Sequence, residues 1–191
     1  MNVSTMRDLG SYFIMAAEVG ADGETITAAA GNDNTAVGGT AVDRLVAGRS
    51  LALSCKFGFF YKATLASGKT LSAALKLEQS LTGGSAFSTA ATLPAFRARH
   101  VCGATVTGGG TAGTITALTL NSSGELAATV LTTGGSGGTV EIGCVEMDVD
   151  ISAAGQYIRA KRTLDLSASG TDTVVVIPFM ALCGAQVTPA T

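Results

Sequence analysis

Residues 157–182 read YIRAKRTLDLSASGTDTVVVIPFMAL. Up to Leu166 apolar and polar positions alternate; then comes a polar turn, SASGTD, and then 174–182, which is almost wholly apolar. Alternation at period two marks a half-buried strand, and an apolar run bounded by turn residues marks a strand covered on both faces. The stretch therefore predicts two strands joined by a turn, the last hairpin of the chain. Its charged residues sit on the first strand, too few and too regularly placed for a catalytic cluster. Pro178 removes one ladder donor from the second, which predicts a bend or an edge there. The doubly apolar second strand implies cover from a core on one side and a neighbour on the other.

Outward from this stretch the period stays near two. Leu71, Ala73, Leu75 and Leu77 fall on one face, with Ser72, Ala74, Lys76 and Glu78 on the other. In 140–151, VEIGCVEMDVDI, the residues Val140, Ile142 and Cys144 share a face, and Val145, Met147, Val149 and Ile151 continue one residue out of phase. The slip beside Gly143 predicts a β-bulge. Further strands are expected at 51–65, 101–107, 114–120, 125–131, 156–166 and 173–182, separated by clusters such as TGGGTAG, NSSG and TTGGSGG. About eight strands with no amphipathic helix after residue 50 predict an all-β antiparallel β-sandwich or jelly roll in residues 51–191. Residues 1–50 are small, polar and glycine-broken, with one short strand possible at 24–28. They read as an amino-terminal arm and extended surface loop.

Composition narrows the function classes. With 191 residues, a folded domain would remove about 70% of its unfolded-chain surface from water, enough for a core without metal or crosslinks. Only 14% of residues are charged, and the formal charge is −2. Such a chain has no long-range field to gather phosphate backbones, so nucleic acid is not expected as a ligand. No apolar run reaches the roughly 18–20 residues of a membrane span, and the first residues lack a secretory pattern, so a protein made and kept in a cytoplasm is expected. Cys55, Cys102, Cys144 and Cys183 have no CxxC pair among them and no neighbouring histidine, which predicts buried free thiols.

Three motifs match by letter and fail on context. ATLASGKT ends in the Gly68-Lys69-Thr70 of a phosphate-binding loop, yet a strand follows where a helix amino terminus must aim at phosphate; a hairpin turn with an exposed lysine is expected. GGGTAG at 108–113 also precedes a strand where a dinucleotide fold needs a helix. GGSGG at 134–138 surrounds Ser136, but a nucleophile elbow needs a strand-to-helix turn and a histidine base, and the sole histidine is His100. Proton transfer would then rest on Glu141, Glu146, Asp148 and Asp150, read as i, i+2 neighbours on one strand face. Such carboxylates can work on a sugar or hold calcium; the plainer reading is a solvated acidic edge that resists aggregation. Arg97, Arg99 and His100, with Arg159 and Lys161, make small basic patches suited to an interface. No catalytic residue, cofactor or metal is assigned.

The order of GGTAVDR (38–44), YKATLASGKTLSAALKLEQSLTGGSAF (61–87) and GQYIRAKRTLDLSASGTDT (155–173) resembles the capsid cement, or decoration, proteins of tailed bacteriophages. The resemblance implies a β-sandwich or jelly-roll protein, often trimeric, on the outer surface of an icosahedral head, bridging major capsid protein subunits without chemistry. Its candidate contacts are Tyr12, Phe13, Ile14 and Met15 on the arm, which can equally form a first strand of the protein's own core, with Arg97 and Arg99. A tail-tube, tail-fibre or head-fibre protein shares the composition. A carbohydrate-binding β-sandwich is a third reading, although such modules display an aromatic platform and this chain has no Trp and three Tyr.

Overall fold

The computed structural model describes residues 14–16, 24–46, 50–81, 87, 91–107, 110–168 and 170–185. Their strands are β1 (Ile14–Ala16), β2 (Glu24–Thr27), β3 (Thr35–Gly38), β4 (Val42–Asp43), β5 (Leu45–Val46), β6 (Ser50–Leu65), β7 (Thr70–Ser80), β8 (Ala91–Leu93), β9 (Ala95–Thr107), β10 (Ile115–Leu118), β11 (Leu126–Thr133), β12 (Thr139–Asp150), β13 (Tyr157–Leu166) and β14 (Thr173–Ala185). The larger sheet runs β1-β14-β6-β12-β9-β10, with β2 beside β14 and β5 beside β6. The smaller runs β11-β7-β13-β3, with β4 beside β13 and β8 beside β7. Every ladder is antiparallel.

The pairing is nested. β3 pairs with β13, β6 with β12, β7 with β11, and β9 with β10, as in a ribbon doubled back on itself. β7 with β13 and β9 with β12 then close the ribbon into two sheets. Eight strands in this order make a jelly roll. The described residues hold more strands than the eight or so expected: seven of the expected strands belong to the roll, the eighth, 173–182, is β14 outside it, and β3 takes the remaining place, with β1, β2, β4, β5, β8 and β14 added.

Alternation fixes which side chains enter the core. β7 turns Leu71, Ala73, Leu75 and Leu77 inward, β6 turns Phe57, Phe59, Tyr61, Ala63 and Leu65, and β13 turns Ile158, Ala160, Leu164 and Leu166; all are buried in one cluster shared by both sheets. Arg162, on the same buried face of β13, reaches Glu24 of β2 at 2.6 Å and so ties the two sheets together. Arg44 is also buried, its guanidinium donating to the carbonyls of Ala52 and Ile151, and burial lowers its pKa.

Two sequence expectations change here. β13 and β14 do not form a hairpin, because β13 belongs to the smaller sheet and β14 to the larger. The same holds at the SGK turn. β6 and β7 lie in different sheets, and Gly68 takes φ +70° in the turn that crosses between them. Alternation specifies the buried face of a strand and leaves open which sheet the next strand joins. The bulge expected at Gly143 changes in part: the ladder with β9 does shift between Ile142 and Gly143, but the extra residue is Gly103 of β9, and β12 itself keeps its phase. β12 runs against β6 in unbroken register from Thr139 to Asp150, and against β9 each register shift skips a residue of β9. In β12 Glu141, Gly143, Val145, Met147 and Val149 all face inward, while Ile142 and Cys144 face outward. A buried glutamate in the inward series imitates a phase slip when only apolar letters are followed.

Pro178 sits where the sequence allows it. β2 covers residues 173–176 of β14 and β1 covers 180–182, so the proline falls in the gap between the two edge strands.

Candidate functional site

Glu141 is fully buried and gathers donors from three directions. Tyr61, on the neighbouring strand β6, donates its hydroxyl to Oε1; Thr132 of the opposite sheet donates to Oε2 at 2.8 Å; and the Gly110 amide, in the β9–β10 connection, donates to Oε2 at 2.9 Å. His100 Nε2 lies 2.6 Å from Tyr61 Oη. Since the tyrosine proton goes to Glu141, the imidazole donates from Nε2, giving the chain His100 to Tyr61 to Glu141. Burial, with the bond to Glu141, drives the Tyr61 hydroxyl pKa far up. Burial also pushes the His100 imidazole below its ordinary value, against the opposing pull of Glu141.

The chemistry of this cluster is structural. Its members spend their hydrogen bonds on one another and on the loop at Gly110, and Tyr61 and His100 are themselves buried. The Glu141 position corrects the reading of an acidic strand face, since Glu141 and the pair Glu146 and Asp148 lie on opposite faces. β12 is moreover a central strand, flanked by β6 and β9, so it is no edge. Ser136 lies in the exposed β11–β12 turn followed by a strand, and Lys69 is exposed in the sheet-crossing turn. Among the described residues no group of three or more His, Cys, Asp or Glu side chains is placed to hold a metal ion.

The outer face of the larger sheet carries the other concentration of chemistry. Cross-strand partners place Ile177, Phe60, Cys144, Val101 and Ile115 in one row across β14, β6, β12, β9 and β10. Phe60 is 49% exposed, Ile177 42% and Ile115 63%, and Ile142 in the adjoining row is 45% exposed. The Phe60 and Phe179 rings lie 5.0 Å apart. An apolar row this long on an outward face is the feature that monomeric soluble proteins usually lack.

Beside the row runs a ladder of ion pairs. Lys56 Nζ reaches Glu146 at 3.2 Å and Asp148 at 3.0 Å, Arg97 Nε donates to Asp148 at 2.6 Å, and Arg99 pairs with Glu146. Burial would raise the Asp148 carboxyl pKa, but the bonds from Lys56 and Arg97 hold it below the usual range. Arg97 and Arg99 are thus neutralised in place rather than forming a basic patch with His100, whose side chain points into the core. Ile14 and Met15 lie on β1, opposite Leu182 and Ala181 in the same sheet, whereas Tyr12 and Phe13 fall outside the described residues. The sequence signal for the apolar row was weak, since Phe60, Cys144 and Ile177 come from three distant strands.

A shallow groove of about 390 Å³ opens on the outer face of the smaller sheet, between Ala36, Ala74, Ala127 and Thr163. Its lysines are committed to carboxylates, Lys76 to Glu78 at 3.3 Å and Glu125 at 3.8 Å, and Lys161 to Glu78 at 3.8 Å.

Together these features define an antiparallel jelly roll with an apolar, ion-bordered outer face and a polar cluster locked in its core. No protein family and no curated protein matches the chain. Among solved structures it is similar to a chain in a structure of infectious bursal disease virus strain Gx, at 14% identity and a TM-score of 0.21, covering 92% of this chain and 41% of that one. A chain from the Gt strain of the same virus gives 11% identity and a TM-score of 0.18, covering 93% and 40%. The present chain spans about two fifths of the length of those chains. The assignment of a jelly roll rests on the strand order and not on these likenesses.

Proposed function

We propose that this is a structural virion protein that decorates an icosahedral phage head, bridging major capsid protein subunits as a homo-oligomer and stabilising the shell without catalysis. Jelly rolls serve capsids, lectins and cupins alike, so the fold does not choose among them. The observation that carries the reading is the row Ile177–Phe60–Cys144–Val101–Ile115, in which Ile177, Phe60 and Ile115 are exposed and Cys144 and Val101 half-buried, bordered by paired charges. That is the anatomy of an interface, an apolar centre with a polar rim, and unlike a substrate cleft it is open across five strands. The resemblance to cement proteins supplies the partner. In this reading the row seats on the shell, Arg97 and Arg99 lie in its rim, and residues Tyr12, Phe13, Ile14 and Met15 add an anchor.

Burying Phe60 and Ile177 on a shell would contribute about 1.5–3 kcal/mol each before ordering costs. The test is to add purified protein to heads that lack it and to follow binding and thermal rupture. Wild-type protein should bind and raise the rupture temperature with occupancy. Phe60→Asp and Ile177→Asp should abolish binding with unchanged melting of the free protein. If wild-type protein leaves expanded heads unbound, the decoration role is wrong and a tail or fibre role replaces it.

A further inference from the structure

The segment that forms β10 and β11 carries almost no charge of its own. From Val101 to Val140 the sequence contains one ionised residue, Glu125, in a chain that is 14% charged. Glu125 is turned back into its own turn, accepting from Thr92 at 2.8 Å and from Asn121 at 3.2 Å, bonds that hold its carboxyl pKa below the usual value. β10 ends the larger sheet and, among the described residues, is paired only with β9. Open edges are ordinarily guarded by lysine, proline, bulges or inward charges, because their free N–H and C=O groups recruit further strands. β10 has none of these guards and is protected only by its shortness, four residues. Its register with β9 is unbroken from Ile115 to Leu118, while that of β11 with β7 is broken twice.

We propose that the β10 edge binds a second copy of this chain, β10 against β10 and antiparallel about a two-fold axis, so that the two larger sheets join into one. A two-fold contact lays a patch on its own image, so any net charge on the patch would meet its like; a patch without charge is self-compatible. A different partner would impose no such neutrality. The geometry also sets the register. Ile115 and Ala117 point to the outer face, opposite Val101 and Arg99, while Thr116 and Leu118 point toward the core. Directly opposed residues of a sheet share a face, so the axis falls on a residue. With the axis on Ile115, that residue lies beside its own image in the second copy, and the apolar row continues from one copy into the next.

The contact differs from the trimer implied by the family resemblance, and sedimentation equilibrium of the full chain separates them. Wild-type protein should be a dimer in reversible exchange with monomer. The double variant Ile115→Lys, Ala117→Lys should be monomeric, and Ile115→Thr, which keeps a strand-forming residue, should weaken self-association by about tenfold or more. Val130→Lys, on the bulged β11 edge, should leave the dimer intact. Far-UV circular dichroism identifies any variant that fails to fold, and Ile115→Thr then carries the test. A monomeric wild type at every concentration, a trimer, or a dimer unaffected by the changes at Ile115 overturns the proposal. Shell binding is not read in this experiment, so its failure leaves the decoration role standing or falling on its own test.

Discussion

Replacing Glu141 by leucine tests whether the buried cluster is held by its acceptors or by its charge. Three donors converge on this carboxylate: the Tyr61 hydroxyl, the Thr132 hydroxyl at 2.8 Å and the Gly110 amide at 2.9 Å. In Glu141→Leu their fates differ. Gly110 is at the surface and can turn to water, and Tyr61 can give its proton to His100 Nε2 once the imidazole moves its own proton to Nδ1. Thr132 is buried and loses its partner outright, which costs about 1–3 kcal/mol. Losing the bond that anchors the Gly110 loop adds to this, and the apolar leucine returns part of it. The net expectation is about 2–4 kcal/mol of destabilisation. At about 2–4 °C per kcal/mol for a chain of this size, the melting temperature should fall by roughly 4–16 °C. Glu141→Gln keeps an oxygen for Thr132 and Gly110 and turns an amide N–H toward Tyr61, whose proton then goes to His100. The three original donors keep an acceptor and only the second amide N–H lacks one, so the cost should stay at about 1 kcal/mol, below that of the leucine variant. Thermal and urea unfolding followed by circular dichroism give both values. If the glutamine variant loses as much as the leucine variant, counting acceptors is the wrong account and the charge itself holds the cluster. A leucine variant as stable as wild type would show that the cluster holds nothing.

His100 supplies a pH dependence. Its folded pKa lies below the 6.5 of the free side chain, so the unfolded chain binds the extra proton first, and stability present above pH 6.5 is lost as the pH falls through that value. Melting curves between neutral and mildly acid pH should show this slope, and His100→Gln should remove it. Gly58→Ala should destabilise strongly, because a β-carbon there would lie 1.8 Å from the Val145 carbonyl oxygen; a loss at or above the usual overpacking range of about 1–3 kcal/mol is expected in urea unfolding. Burial, reinforced by Glu146, pushes the Cys144 thiol up to about 12. In the native protein Cys144 should therefore alkylate far more slowly than free cysteine at mildly alkaline pH, and mass spectrometry of the Cys144 peptide measures it.

Strand positions were largely legible in the sequence. The expected 51–65, 156–166 and 173–182 correspond to Ser50–Leu65, Tyr157–Leu166 and Thr173–Ala185, because side-chain alternation is a local property of each strand. β9 was seen only from residue 101, although it begins at Ala95. Ala95, Phe96 and Arg97 lie where its register against β12 shifts, and there the alternation breaks. The described part of residues 1–50 gives strands to both sheets; β3, from Thr35 to Gly38, occupies a place in the roll itself. Four residues of small side chains carry too little alternation to announce that.

What the sequence determined by itself was the all-β class, the turns, the inward faces of β7 and β13 and the failure of the three motif matches, since each depends on residues near one another in the chain. The tertiary structure alone decided that consecutive strands such as β6 and β7 part into different sheets, that Tyr61, His100, Thr132 and Glu141 meet in the core, and that Phe60, Cys144 and Ile177 line up on one outer face. Those arrangements depend on strand partners up to more than a hundred residues apart, and a strand's own pattern of apolar and polar residues names the face it buries without naming the strand it will lie beside.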